Sequence, residues 1–363
     1  MKSFFRRILY VEGGGRRNQS IQDKVSFSAK RRSKDLFIIV CISILLLTLL
    51  YFLLSLNTFT TSGGSDATNS DKINSDSKNK SENSQPSKSK ISTKEISPYS
   101  NHIFMSTLPS SLISDKRLIF IGDVHGALKE LDALLEKLDF SPTNDHLIFT
   151  GDLCAKGSDS LGVLRRVREL GASSVRGNHD DKVVRWKGFL KSLEVDNKEF
   201  EVNSVPKDLK IGTEHESMAR DITEDLYETL LSFPLILDIP EYNLYVVHAG
   251  LLPDIPLTDQ SPFDIMNMRN VKSDGTPTKQ KHKGRGWFDL WNQAQSQSGN
   301  PRTIIYGHDA SRGLHIKKYT IGLDSGCGSG RELTALIWNK DRSKCKFVSV
   351  KCSRPKVNLE DSD

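Results

Sequence analysis

The sequence predicts an α/β domain that follows a single transmembrane helix. Three observations lead to this fold class. Between residues 117 and 179, short apolar runs alternate with helical patterns, which indicates parallel strands covered by helices. After about residue 232 the pattern changes to a series of short strands. Near the N-terminus, residues 36–56 form a continuous apolar segment that contains no charged residue.

The apolar segment Leu36–Leu56 is 21 residues long. About 20 apolar residues, at ~1.5 Å per residue, cross the hydrocarbon core of a bilayer. The apolar core of a signal peptide is usually shorter and lies nearer the N-terminus, and a buried core helix of this length would normally show a polar face. We therefore predict that this segment is a transmembrane helix.

Positive charge at one end of this helix predicts its orientation. Residues 1–35 carry ten Lys and Arg against three acidic residues, whereas residues 57–66 carry no Lys or Arg. Because positive flanks stay in the cytosol, the basic tail 1–35 should be cytosolic and the remaining chain lumenal or extracellular, as in a single-pass type II protein. The net charge of the whole chain, +6, comes from this tail, so no nucleic-acid binding is expected.

Residues 57–110 are predicted to be a disordered tether, because large apolar residues are almost absent from the Ser-, Asn- and Lys-rich residues 57–100. The sequon at Asn79 predicts a glycosylation site on the lumenal side. The catalytic domain is predicted over residues 111–353, with a C-terminal tail over 354–363. The five cysteines include no CxxC pair and are too few and scattered to indicate a disulfide scaffold.

Within the domain, RLIFIGDVHG reads as a buried strand that ends in a loop, and ALKELDALLEKLDF has the apolar spacing of a helix face. HLIFTGD is a second strand, LGVLRRVRELG is a second helix that ends at Gly171, and SVRGNHD is a third strand end. This order is a βαβαβ unit. The later strands are predicted in LILDI, LYVVHAG, TIIYGHD, KKYTIGLDSG, TALIW and KFVSVKC.

Polar residues follow several of these strands, and each lies within two residues of a glycine. They are Asp123 and His125, Asp152, Asn178 and His179, His248, and His308 with Asp309. Ligands of α/β sheets bind outside the carboxyl ends of the strands, and Asp, His and Asn together suit zinc, manganese or iron. A single such residue is more often an ordinary turn or core residue. Five sites of this kind predict a metal centre.

The ordered motifs GDVHG, GDLCAKG, GNHD, VHAG and YGHD resemble those of calcineurin-like metallophosphatases, and in particular of the phosphoprotein-phosphatase superfamily. The resemblance covers roughly residues 117–340 and implies a metallophosphatase fold with a central β-sandwich flanked by helices. It implies two divalent cations, zinc first, with manganese, cobalt or iron as alternatives. The implied ligands are Asp123, His125 and Asp152 for the first cation, with Asp152 bridging to the second, and Asn178, His248 and His308 for the second.

The resemblance further implies that the cations activate a water as hydroxide and that His179 is the general acid. Protein phosphatases of the superfamily have DRG where this chain has Ala155-Lys156-Gly157. The absent Asp is the one that supports the catalytic His, so His179 needs another partner. Asp180 is within reach along the sequence, but the sequence does not assign the partner.

The GDLxAKG form is similar to the bacterial-type dinucleoside-tetraphosphatase branch, which acts on phosphoanhydrides. With a membrane anchor, it resembles the fungal vacuolar zinc-dependent endopolyphosphatases. Inorganic polyphosphate, or another polyanionic phosphoanhydride, is thus the expected substrate and the vacuole membrane the expected location. Lys156, Arg176 and Arg269 are the predicted phosphate-binding residues, although Arg176 could equally be a structural partner of a neighbouring carboxylate. Six further basic residues could extend the phosphate-binding surface along a polyphosphate chain, and we call them the predicted track. They are Lys182, Arg185, Lys187, Lys281, Lys283 and Arg285, although most are expected to be solvated surface charges.

Three alternatives remain open at this point. A protein Ser/Thr phosphatase would require phosphopeptide hydrolysis, which Ala155 and Lys156 disfavour. A dinucleoside polyphosphate hydrolase would need an aromatic platform for the base, for which Trp287 and Trp291 are candidates. A catalytically dead, membrane-tethered interaction module is disfavoured because all six ligand positions and His179 are present.

Overall fold

The computed structural model describes residues 100–339 and 341–354. The predicted basic tail, transmembrane helix and glycosylation site Asn79 lie outside the described residues, as do most of the tether and of the C-terminal tail. No helix in the part of the chain that is described combines the length and the apolar character needed to cross a membrane.

The described residues form short strands and helices in an alternating order. The strands are β1 (Ile103–Thr107), β2 (Arg117–Ile121), β3 (Asp145–Phe149), β4 (Ser173–Ser174), β5 (Pro234–Ile239), β6 (Leu244–Val247), β7 (Asn270–Val271), β8 (Pro277–Thr278), β9 (Arg285–Gly286), β10 (Thr303–Tyr306), β11 (His315–Ile316), β12 (Thr320–Gly322), β13 (Glu332–Ile337) and β14 (Lys346–Lys351). The α-helices are α1 (Ser110–Ile113), α2 (Leu128–Lys137), α3 (Ser160–Glu169), α4 (Asn178–Val195), α5 (Glu214–Asp221), α6 (Glu224–Ser232), α7 (Pro262–Asn267) and α8 (Trp287–Ser296).

Two larger sheets carry the domain. The five-stranded sheet has the order β14-β13-β2-β3-β4, and the six-stranded sheet has the order β1-β5-β6-β10-β12-β11. β2, β3 and β4 are parallel neighbours connected through α2 and α3, which confirms the predicted βαβαβ unit. A small sheet of β8, β7 and β9 lies apart from these two.

Side chains of β2 show how the layers form. Leu118 and Phe120 pack between the two large sheets, against Leu237 of β5 and Val246 of β6. Ile119 and Ile121 point the other way, into a core made with α2, α3 and α4. This alternation follows from the two-residue period of a strand. A third core, which includes Trp287 and Trp291 of α8, covers the outer face of the six-stranded sheet. The predicted sandwich of sheets between helices is confirmed.

The predicted start of the domain at residue 111 is wrong, because Ile103–Thr107 forms β1 and pairs in parallel with β5. The strand is short and its residues alternate between exposed and half-buried. It follows a long polar stretch, so a composition average hides it. Ser100 is also buried, and its hydroxyl donates to Asp181 at 2.7 Å. The ordered domain therefore includes the last residues that were assigned to the tether.

A disulfide joins Cys327 to Cys352, although the sequence indicated none. Cys327 lies after β12, and Cys352 directly follows β14. The antiparallel pair β13–β14 brings them together with their Cα atoms 5.2 Å apart. Because the pairing depends on this hairpin, the cysteine spacing alone could not predict it.

Candidate metal centre

The predicted ligands converge where the carboxyl ends of two sheets meet. Asp123, His125, Asp152 and Asn178 follow β2, β3 and β4 of the five-stranded sheet. The other two follow the neighbouring strands β6 and β10 of the six-stranded sheet, and they are His248 and His308. All six side chains are buried. The structure thus brings together every residue that the motifs predicted as a ligand.

The backbone is unusual at three of these positions. His125, Asp152 and His308 have φ values of 50°, 50° and 66°. Residues other than glycine rarely adopt this left-handed region, and each such residue costs about 1–3 kcal/mol. The strand-end turns hold this conformation, which aims the side chains into the site.

Two motif glycines allow the chain to approach the ligands closely. A Cβ atom at Gly177 would lie 2.1 Å from Asp152 Oδ1. A Cβ atom at Gly307 would lie 2.0 Å from Asp123 Oδ1. Either side chain would displace a ligand, so the glycines beside the predicted ligands serve close packing.

Asp152 lies at the middle of the site. Its Oδ2 atom is 3.6 Å from His125 Nε2 and 3.4 Å from His248 Nε2. Two groups of potential ligand atoms lie within 4.8 Å of one another: those of His125, Asp152 and His179, and those of Asp123, Asp152 and His248. Asp152 belongs to both groups, as a bridging carboxylate requires. The division of Asp123 and His125 between the two cations stays a prediction.

The second nitrogen of each ligand histidine has a backbone partner. His125 Nδ1 lies 3.1 Å from Cys154 O, and His248 Nδ1 lies 2.8 Å from Thr150 O. His308 Nε2 lies 3.0 Å from Asn267 O. Since a carbonyl oxygen only accepts, these nitrogens donate, and the opposite nitrogen of each ring faces the site. Metal-bound histidines are oriented in this way.

The charges of the site also fit cations. Burial lowers the pKa of His125 to about 3, to which Lys156 contributes, so this ring is neutral, as metal binding requires. Burial also lowers the pKa of His248, but the carboxylates of Asp152 and Asp123 raise it to about 10. Positive charge is therefore favoured between these acids, and a divalent cation would supply it. The donor set accordingly fits two metal ions.

His179 has a partner that the sequence did not reveal. Its Nδ1 atom lies 2.8 Å from Nε2 of His215, which is buried at the start of α5. Asp180 is not the partner. Its Oδ1 accepts from the backbone N–H groups of Leu153 and Cys154, and its Oδ2 accepts from that of Gly177. His215 belongs to a stretch without a motif or strand end, so no signal in the sequence indicated it.

Asp324 is a second residue that the motif reading missed. It is buried and lines the same cavity as the predicted ligands. Burial raises the pKa of Asp123, and the charge of Asp324 raises this pKa further. Asp324 follows β12 and stands two residues before a glycine. This is the pattern used to find the other strand-end residues, and it could have identified Asp324.

The three predicted phosphate-binding residues have different positions. Lys156 is exposed, and its Nζ atom lies 3.2 Å from His125 Nε2, at the entrance to the centre. Arg269 lines the cavity and lies 3.6 Å from the carboxylate of Asp309. Their phosphate-binding roles stay predictions.

The prediction for Arg176 is wrong. Its side chain is 0% exposed and lies 3.6 Å from Asp181, and its guanidinium donates to the carbonyls of Ser100, Asn101 and Leu231. A guanidinium with these partners supports the fold around β1 and cannot reach a substrate. Its place in the RGNHD motif suggested the metal centre, but its side chain is not part of the cavity lining.

A cavity of about 1160 Å³ opens over the metal centre. Its lining includes four acidic side chains and nine basic ones, which are Lys156, Lys182, Arg185, Lys210, Arg269, Lys279, Lys281, Lys283 and Arg331. Four residues of the predicted track thus lie in the cavity, whereas Lys187 and Arg285 are not part of its lining. Arg185 is also paired with Asp181 and Asp208. The cavity offers positive charge beside the predicted cations.

Trp287, Trp291 and Cys154 are not part of the cavity lining. Trp287 and Trp291 are buried in the core behind the six-stranded sheet, so neither is a platform for a base. Cys154 is 0% exposed, and burial raises the pKa of its thiol well above the usual value. It fills space behind the loop.

Comparisons with known proteins agree with the geometry. The family model described as calcineurin-like phosphoesterase matches residues 116–336. The zinc-dependent endopolyphosphatase of Saccharomyces cerevisiae is 28% identical over 268 residues, which cover 66% of this chain and 82% of that protein. The symmetrical bis(5'-nucleosyl)-tetraphosphatase of Pectobacterium atrosepticum is 32% identical over 263 residues, with 61% and 92% covered.

One solved structure is similar at the level of both sequence and fold. It is a crystal structure provisionally assigned as a diadenosine tetraphosphatase, with 32% identity and a TM-score of 0.55. The match covers 69% of this chain and 99% of that chain.

Proposed function

The chain belongs to the calcineurin-like phosphoesterase family, and we propose that it is an endopolyphosphatase, which cleaves internal phosphoanhydride bonds of inorganic polyphosphate. Its enzyme class is that of a metal-dependent phosphohydrolase. The assignment of polyphosphate as the substrate rests on the basic cavity over the metal centre.

Two divalent cations, zinc in the first place, would be held by the six strand-end ligands. When bound, such a pair supplies polarisation of a phosphoryl group and activation of a water molecule. Asp152 would hold both ions, and the backbone partners of His125, His248 and His308 would keep the rings in place. Zinc is supported by the similarity to the zinc-dependent endopolyphosphatase of Saccharomyces cerevisiae and by the three histidines among the predicted ligands.

His179 would protonate the oxygen that leaves as the P–O bond breaks. Burial lowers the pKa of His179 well below the usual value, although Asp152 acts against this. An incoming phosphate anion adds negative charge beside the ring and favours its protonated form.

A phosphoanhydride suits this site better than a phosphoserine. The leaving group of an anhydride is a phosphate, which needs less help from an acid than a serine alkoxide does. Lys156 replaces the Arg of protein phosphatases, and a lysine offers a point charge where an arginine offers a bidentate fork. Flanking phosphates of a chain can use several such point charges, and the cavity lining provides them.

A dinucleoside polyphosphate is a second candidate. The observation that favours it is Phe263, a half-buried aromatic residue in the lining of the cavity, because an aromatic ring can stack on a base. The similarity to the Pectobacterium enzyme also supports a dinucleoside polyphosphate as the substrate. The two candidates share the metal centre and differ in what binds beside it.

Parallel incubations distinguish these functions. Purified full-length protein in detergent, loaded with zinc, is given long-chain polyphosphate, diadenosine tetraphosphate or a phosphoserine peptide. We expect the highest kcat/KM with polyphosphate and loss of all activity with a chelator. A preference for diadenosine tetraphosphate would support the second candidate, and activity confined to the phosphopeptide would reject the phosphoanhydride assignment.

We further propose that residues 36–56 anchor the enzyme in the vacuole membrane with the catalytic domain in the lumen. The uncharged segment and its basic cytosolic flank support this topology. The Cys327–Cys352 disulfide supports it as well, because disulfides persist in oxidising compartments.

Protease protection on intact vacuoles checks the topology. We expect the catalytic domain to stay intact until detergent opens the membrane, while an epitope tag on the N-terminal tail is removed at once. Digestion of the catalytic domain in sealed vacuoles would show that the orientation is the opposite of the proposed one.

A further inference from the structure

His215 lies where it can control the direction in which the His179 ring points. The two nitrogens, His179 Nδ1 and His215 Nε2, are 2.8 Å apart. The ring centroids are 5.0 Å apart, and the ring planes are inclined by only 25°. Two rings in this arrangement share one N–H···N hydrogen bond, in which one ring donates and the other accepts.

Other contacts also restrict the movement of the His179 ring. The ring of His125 meets it edge-on, with centroids 5.0 Å apart. The backbone N–H of His179 donates to Asp152 Oδ1 at 2.9 Å, which fixes the start of α4 beside the predicted bridging ligand. With Nδ1 paired with His215, the proposed protonation of the leaving oxygen falls to the other ring nitrogen, Nε2.

We propose that His215 is the positioning residue of His179, and that its Nε2 accepts a hydrogen bond from His179 Nδ1 so that His179 Nε2 presents its proton to the leaving oxygen. The inference rests on the proposed phosphohydrolase function. His215 takes the place of a carboxylate, because Ala155 stands where protein phosphatases of the superfamily carry the supporting Asp.

A histidine and a carboxylate are different partners. A neutral imidazole fixes the tautomer and the ring plane, but it contributes no negative charge to stabilise the imidazolium. This weaker support is sufficient for a leaving group that is itself a phosphate. The replacement of the carboxylate by His215 therefore agrees with the proposed phosphoanhydride substrate.

The helix that carries His215 is attached to the metal-centre loops. Glu214, its neighbour, accepts from the backbone N–H of Lys156 at 2.8 Å. On the opposite side, Met218 and Ala219 of α5 are buried in the core that contains Val183 and Trp186 of α4. The helix thus joins the loop after β3 to the helix that begins with Asn178 and His179, so His215 is held at a fixed distance from His179.

A double-mutant cycle tests the proposal in the full-length protein, on whichever phosphate substrate the wild type cleaves fastest. We expect His215→Leu, which removes the acceptor, to lower kcat about 10- to 100-fold with KM and bound metal unchanged, a part of the factor that a general acid supplies. In the double variant with His179→Asn, the loss should equal that of His179→Asn alone, because His215 acts through His179.

His215→Gln provides the rescue, because the Gln side-chain oxygen can reach the position of the imidazole Nε2. We expect it to recover most of the kcat lost in His215→Leu. His146→Leu is the matched control, since it also replaces a buried histidine by leucine, at a position outside the cavity lining. It should lower the melting temperature, because it removes the contact with the Ser173 hydroxyl, while kcat stays within about threefold of the wild type.

Multiplicative losses in the double variant, no recovery with Gln, or loss of metal in His215→Leu would each overturn the proposal. Inactivity of the metal-loaded wild type on every phosphate substrate would instead reject the proposed function, so the two failures are distinguishable.

Discussion

Replacement of Asp152 by Asn is expected to abolish both metal binding and turnover. The substitution keeps the shape of the side chain and an oxygen that can accept from the His179 N–H, but it removes the negative charge shared by the two groups of ligands. Two cations held side by side need a shared anion. We expect bound zinc to fall from two ions per chain to less than one, and kcat to fall by at least about 10³-fold.

Metal content by elemental analysis and kcat on the same preparation measure both effects. Asp159→Asn is the matched control. Asp159 is the N-cap of α3, where its side chain accepts from the Gly162 N–H at 2.7 Å, and Asn caps a helix equally well. This variant should keep two zinc ions and wild-type kcat. An Asp152→Asn protein that retained two metal ions would contradict the bridging role.

Replacement of His179 by Asn is expected to leave the metal in place and to lower kcat about 10²- to 10⁴-fold, which is the range supplied by a general acid. The measurement is again metal content together with kcat. It also decides between two roles, because His179 lies in one of the two groups that could hold a cation. Loss of one metal ion would make His179 a ligand, and an unchanged kcat would remove it from the mechanism.

His146→Asn is the matched control for this variant. His146 is a buried histidine of β3 whose Nε2 lies 2.9 Å from the hydroxyl of Ser173, and it is not part of the cavity lining. The variant should be less stable than the wild type but unchanged in kcat and metal content. Such a result would show that the effect at position 179 does not arise from removal of a buried imidazole in general.

The convergence of the predicted ligands could be expected from the sequence because strand ends of parallel sheets meet at one edge. Asp123, Asp152 and Asn178 each follow a strand of the same sheet, and the flanking glycines marked these turns. The sequence cannot show that His125 and Asp152 adopt a left-handed backbone, since the surrounding contacts impose that conformation.

Other features depend on contacts between distant parts of the chain. His215 meets His179 only because α5 packs beside α4, and Cys327 meets Cys352 only because β13 and β14 form a hairpin. Arg176 failed as a phosphate-binding residue for the same reason. Its motif position is at the site, but its side chain reaches the carbonyl of Ser100, in a segment whose order was itself not expected.

The most direct test of the proposed function follows the chain length of polyphosphate over time. Zinc-loaded full-length protein is incubated with a long polyphosphate of narrow length distribution, and samples are resolved by gel electrophoresis while orthophosphate is quantified. Internal cleavage predicts a rapid shift of the whole population through intermediate lengths before orthophosphate accumulates. Release of orthophosphate while the remaining chains stay long, or no cleavage by a protein that holds two metal ions, would contradict it.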